Sequence, residues 1–115
     1  MENDELLNYA KQLTASEVYW YQQWECYRFD IGGKIFGYLN ERYLTLKNTP
    51  EKNERLREQF SAIIAGYYMN KTHWNSVLMQ ENTELGLPEL EQLILESYQL
   101  VVSKLSKKER QRLGV

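Results

Sequence analysis

The sequence predicts an α+β domain in which a mainly antiparallel sheet, a meander plus a later strand, packs against helices, and three features carry that expectation. Around Gly32-Gly33, apolar and polar residues alternate on both sides of a two-residue turn. From Pro88 to Leu105, apolar residues recur at helical spacing. Between these stretches, strand-forming segments flank one with a helix start signal, so helices precede, interrupt and follow the strands.

In chain order, residues 2–13 place Leu6, Leu7, Ala10 and Leu13 on one stripe of a short helix. Val18-Tyr19-Trp20-Tyr21 reads either as an edge strand or as aromatics capping the core. Tyr27, Phe29 and Ile31 then alternate with Cys26, Arg28 and Asp30, and Gly32-Gly33 supplies the positive φ angles that a primed hairpin turn requires before Lys34-Ile35-Phe36-Gly37-Tyr38-Leu39. A second turn at Asn40-Glu41 leads to Tyr43-Leu44-Thr45-Leu46-Lys47, which completes the meander with Leu44 and Leu46 on one face. Thr49 can cap a helix whose first position suits Pro50 and whose positive end suits Glu51; Leu56 and Phe60 mark its inner face. Residues 73–79 form a strand with Trp74, Ser76 and Leu78 on one side and Asn75, Val77 and Met79 on the other, both faces partly covered. In the last helix Leu90, Leu93, Ile94, Ser97, Tyr98, Val101, Val102 and Leu105 form the core-facing stripe. Glu89 and Glu91 lie at its positive end and Lys104, Lys107 and Lys108 at its negative end.

A chain of 115 residues suits a single domain, 1–115, with a core that needs no staple. The lone Cys26 cannot form an internal disulfide, and the acidic start Glu2-Asn3-Asp4-Glu5 is unlike a secretory signal. The longest charge-free span, residues 59–70, is well short of the roughly 20 apolar residues that cross a membrane. A cytoplasmic protein with no membrane partner is the expectation.

Net charge is −2, which argues against a uniformly basic nucleic-acid binder, yet the charges are segregated. Residues 41–75 carry six cations against four anions, and residues 101–115 five against one, whereas residues 76–100 carry five anions and no cation. If the two basic segments meet in space, they form a positive face on an acidic protein.

No nucleophile with its base, metal-ligand set or phosphate loop is present, so no catalytic residue, metal or cofactor is assigned. His73 is the only histidine, Cys26 reads as a small packing residue, and Glu51 and Glu54 share a solvated helix face with Lys52 and Arg55. Trp74 and Tyr98 read as core aromatics. Tyr19, Tyr21, Tyr67 and Tyr68 are candidates for contact with a protein partner or a second copy, since tyrosine is favoured at interfaces.

Four runs are more specific: Gly33-Lys34-Ile35-Phe36; Leu44-Thr45-Leu46-Lys47 leading to Pro50-Glu51; Gly66-Tyr67-Tyr68-Met69-Asn70-Lys71-Thr72-His73-Trp74-Asn75-Ser76-Val77; and Ser97-Tyr98-Gln99-Leu100-Val101-Val102-Ser103-Lys104-Leu105. In this order they resemble the MmcQ/YjbR-like family of small bacterial proteins, over about residues 24–112. The resemblance implies a compact α+β fold, likened to a double-wing or frataxin-like arrangement, and a DNA-binding role. Ala65 and Ser106 stand where that family often has proline, which touches loop rigidity more than any charged position. For DNA binding, Lys47, Lys71, Lys104, Lys107 and Lys108, with Arg110 and Arg112, could neutralise phosphates. Asn70, Thr72 or Asn75 could fix register on the backbone, while Lys71 and His73 either bind an anion or anchor their loop to the sheet by hydrogen bonds. No helix offers a polar, base-reading face. A non-enzymatic protein-interaction module is the alternative reading.

Overall fold

Gly32 and Gly33 adopt φ angles of 58° and 77°, so the hairpin turns where glycine makes such angles inexpensive. The structure, a computed structural model, describes residues 2–115. Its elements are α1 (Glu2–Gln12), β1 (Ser16–Tyr21), β2 (Cys26–Ile31), β3 (Lys34–Leu39), β4 (Tyr43–Lys47), α2 (Pro50–Gln59), β5 (Ile63–Ala65), β6 (Trp74–Leu78), α3 (Leu87–Lys104) and α4 (Lys107–Leu113). The strands form one six-stranded sheet in the order β1-β2-β3-β4-β6-β5, with every pairing antiparallel. The expected α+β architecture is therefore the observed one. Residues 18–21 resolve as part of an edge strand rather than a cap.

The alternation of side chains assigns two unlike faces to this sheet. Phe29, Ile31, Leu39, Leu44, Leu46, Ile63 and Val77 point to the side covered by α1, α2 and α3, where they meet Leu6, Ala10, Leu56, Leu90, Ile94 and Val101 in one core. Phe29, Phe36, Leu6, Leu44, Leu90 and Ile94 are wholly buried there, each worth roughly 1.5–3 kcal/mol of transfer free energy. A β-bulge shifts the β2–β3 register between Phe29 and Asp30, which leaves Phe36 without an opposite residue and turns its ring into the core against Phe29 and Tyr98.

Ser97 ties the long helix to the sheet. Its hydroxyl donates to the carbonyl of Phe36 and accepts the N–H of Lys47, so one buried side chain on α3 fixes β3 and β4 together. Tyr98 donates to the carbonyl of Thr14, holding the turn between α1 and β1. Thr49 caps α2 by accepting the N–H of Lys52, and Pro50 occupies the first turn, as the sequence anticipates.

Two elements went unread in the sequence. The strand Ile63–Ala65 is three residues long, too short for a periodicity signal. The helix Lys107–Leu113 is capped by the Ser106 hydroxyl, which accepts the N–H of Glu109, and it ends at Gly114 with φ 77°.

Candidate functional site

Opposite the helices, the sheet carries a different set of residues. Register places Tyr19, Tyr21, Cys26, Arg28, Asp30, Tyr38, Tyr43, Thr45, Lys47, Trp74 and Ser76 on this face. No helix covers it. Its centre is closed by the loop of residues 66–73, which folds back across β3, β4 and β6. The Tyr38 hydroxyl donates to the Tyr67 carbonyl at 2.6 Å, the Tyr67 N–H donates to Ser76 Oγ at 2.9 Å, and Ser76 in turn bonds Thr45 at 2.6 Å.

At the end of the sheet where β3 begins and β4 ends, beside the C-terminus of α3, lies a basic groove of about 330 Å³ lined by Lys34, Ile35, Lys47, Trp74, Val101, Lys104 and Leu105. Lys47 and Trp74 are cross-strand partners, with the ammonium 5.9 Å from the indole centre. Three strands or helices thus bring one lysine each to a lining without a carboxylate. Among the described residues the ion pairs are Arg28–Asp30, Lys52–Glu96 and Arg112–Glu109, and none involves a groove lysine.

The residues singled out in the sequence are only partly gathered here. Lys47 and Lys104 line it. Lys107 and Lys108 open α4 just beyond Leu105 and are exposed. His73 directly precedes Trp74; its carbonyl accepts the N–H of Asn48 and its side chain is exposed. Asn70 and Lys71 are engaged in closing the loop: Asn70 Oδ1 accepts the N–H groups of Thr72 and His73, its carbonyl accepts that of Trp74, and Lys71 Nζ donates to the Gly66 carbonyl. Arg112 is held by Glu109 at 2.7 Å. Asn75 points to the helix side, where it accepts from Arg57 and donates to the Asn53 carbonyl.

Lys34 was missed, although a signal existed. In an antiparallel meander the start of β3 must lie beside the end of β4, so a lysine just after Gly32-Gly33 falls near Lys47.

The other end of the face is aromatic. Tyr43 stacks on Tyr67 with ring centres 4.5 Å apart and planes 19° apart, and Tyr67 meets Tyr68 at 4.3 Å. Tyr68 has φ 62° and is 79% exposed, so a bulky residue occupies the left-handed region and gains little burial there. Neighbouring Tyr68 raises the Tyr67 phenol above its ordinary value, whereas nearby Arg42 acts to lower it.

Toward β1, Arg28 lies over the rings of Tyr21 and Trp24 at 5.2 and 5.6 Å and pairs with Asp30 at 2.8 Å. The Tyr19 hydroxyl donates to the other oxygen of Asp30, and burial together with that bond pushes its pKa up to about 12. Burial likewise pushes the Cys26 thiol up to about 11, leaving it protonated and unreactive near neutrality. Among the described residues, no three His, Cys, Asp or Glu side chains gather as a metal set, and no helix is long and apolar enough to cross a membrane.

An antiparallel sheet with helices on one side and an open face that is aromatic at one end and lysine-lined at the other defines a small α+β protein of the double-faced type. The chain belongs to the YjbR family, whose model matches residues 11–100. It is 36% identical over 107 residues to the uncharacterised protein YbdF of Escherichia coli O157:H7, covering 90% of this chain and 86% of that one. Against the uncharacterised protein YjbR of Escherichia coli K12, identity is 27% over 117 residues, with 98% of each chain covered. A crystal structure of a Deinococcus radiodurans protein with a DUF419 domain superposes with a TM-score of 0.87 at 28% identity, over 98% of this chain and 88% of that one. A Pseudomonas syringae protein shares the fold at a TM-score of 0.72 and 24% identity, over 87% of this chain and 98% of that one.

Proposed function

We propose that this chain is a non-enzymatic, cytoplasmic DNA-binding protein that holds phosphates in the groove of Lys34, Lys47 and Lys104. The observation that carries the reading is the convergence itself: cations from β3, β4 and α3 share one groove without a carboxylate in its lining. Positive charge gathered on a net acidic chain attracts a polyanion locally, although the total charge of −2 does not. Lys107 and Lys108 extend the same rim, and the exposed His73 flanks it. The loop bonds of Asn70 and Lys71 support a positioning role, shaping the segment that presents His73 and Trp74. Contacts of this kind fix a strand on the protein and read no sequence.

Fluorescence anisotropy of a labelled DNA across a salt series tests the reading. Log affinity should fall linearly with log salt, and Lys47→Ala or Lys104→Ala should each lower the slope by about 0.7–0.9. Affinity indifferent to salt and to both substitutions would exclude it.

A protein-interaction role is favoured by one different observation. A groove of about 540 Å³ between α1 and the β3–β4 turn has Leu7, Leu39, Trp20 and Tyr27 in its lining with Asp4, Glu25, Glu41 and Arg42, and Trp20 is 48% exposed. Capture of a partner from nuclease-treated lysate that Trp20→Ala abolishes would favour that reading over the first.

A further inference from the structure

The tyrosines at the far end of the open face are not explained by phosphate binding. Tyr67 is pinned by its own backbone to Tyr38 and Ser76, and its ring is backed by Tyr43. Against this stacked pair sits Tyr68, 79% exposed, in a left-handed conformation that glycine or asparagine would adopt more readily. Strained backbone that presents an aromatic ring to solvent, rather than burying it, is better accounted for by a ligand than by the fold. A phenol ring held from below offers a flat apolar surface, and every nucleobase has a matching face. In a duplex those faces are already stacked on one another; in a single strand they are free.

The geometry links the two ends. Tyr43 and Lys47 lie on the same face of β4 four residues apart, about 13 Å at the usual strand rise. A strand held at the lysine groove thus has a stacking surface within reach.

We propose that Tyr68, supported by Tyr67 and Tyr43, stacks on an unpaired base of a single-stranded nucleic acid whose phosphates are held at the lysine groove. This rests on the nucleic-acid reading above and narrows its substrate from DNA in general to single strands. The platform contributes stacking and no base-specific hydrogen bond, so preference among sequences is weak.

The test uses the whole chain and three labelled probes: a dodecathymidine, a strand of equal length made of abasic sites, and a hairpin duplex. The expected result is that Tyr68→Ala weakens dodecathymidine binding by about 5- to 150-fold with an unchanged salt slope, the scale of one stacked base. Tyr68→Phe, which keeps the ring, restores binding to within about 2-fold of wild type on the same scale. The abasic strand binds wild type and Tyr68→Ala equally. Circular dichroism of each variant confirms that the fold is kept. If wild type binds thymidine and abasic strands alike and Tyr68→Ala changes neither, while Lys47→Ala still weakens both, stacking is wrong and phosphate binding stands. If no probe binds, both readings fall. If the duplex outcompetes the single strand, or if Tyr68→Ala instead abolishes self-association, the platform serves another partner and the proposal is overturned.

Discussion

The Lys47 ammonium sits 5.9 Å from the centre of the Trp74 ring, and the two residues face each other across the β4–β6 pairing. Trp74 is 6% exposed, so its burial belongs to the fold, whereas Lys47 has its charged tip in the groove. The two roles separate on substitution. Lys47→Met keeps the apolar stem and should cost less than about 1 kcal/mol of stability, the scale of a partly exposed cation–π contact, while weakening polyanion binding. Trp74→Ala should cost about 3–5 kcal/mol. Urea denaturation of both variants, beside a binding titration of the first, checks the separation.

Ser97 should be the most sensitive small residue in the domain. It is wholly buried and makes hydrogen bonds to both Phe36 and Lys47. Ser97→Ala leaves a buried carbonyl and a backbone N–H without that partner, so a loss of about 1–3 kcal/mol is expected, read as a lower urea midpoint at unchanged m-value.

Gly66 permits the loop to lie on the sheet. A Cβ there would stand 2.7 Å from Trp74 Cβ and 3.0 Å from the Trp74 carbonyl oxygen, and neither belongs to a flexible side-chain end. Gly66→Ala should therefore destabilise by about 1–3 kcal/mol through overpacking. Because it also displaces the loop bearing Tyr67, it should weaken nucleic-acid binding beyond the effect on stability.

Tyr68 predicts the opposite sign. Its φ of 62° suits glycine, so Tyr68→Gly should leave the melting temperature unchanged or raise stability by up to about 1 kcal/mol, even though the tyrosine–tyrosine contact is lost. Stability that rises while binding falls would mark a residue retained for function at the expense of the fold. Scanning calorimetry of wild type and variant measures it.

Alkaline pH should destabilise the fold by a defined route. Burial, reinforced by the bond to Asp30, raises Tyr19 to about 12, and burial raises Cys26 to about 11. Both groups are neutral when protonated, so the folded state holds those protons longer than the unfolded chain. Their contribution is fully present below the ordinary thiol value near 9 and is lost as pH rises through 11 and 12. Urea midpoints taken from pH 8 to 12 should fall over that window, and the combination Tyr19→Phe with Cys26→Ala should flatten the decline.

Much of this architecture was legible in the residues because it rests on local signals. Gly32-Gly33 gave the hairpin, Thr49-Pro50-Glu51 the start of α2, and the stripe from Leu90 to Val101 the face of α3. What escaped depends on position in three dimensions. The bulge that sends Phe36 inward breaks the period of two that makes a strand readable, and three residues of β5 are too few to show one. In the site, Lys47 and Lys104 were visible as cations, but their meeting depends on Ser97 fixing α3 to β3 and β4, an interaction spanning 50 or more residues. The open face was the least legible feature. Alternation marks two faces of a sheet, and only the packing of the helices decides which one they leave bare.

The central claim is that cations distant in sequence act together on one polyanion. Amide NMR of the ¹⁵N-labelled protein, titrated with a short single-stranded DNA, addresses it most directly. Shifts should cluster at Lys34, Lys47, Trp74 and Lys104 and extend along the face to Tyr67 and Tyr68, leaving the acidic groove around Asp4 and Glu25 unmoved. Shifts confined to that acidic groove, or no shifts at DNA concentrations well above the protein's, would contradict the account.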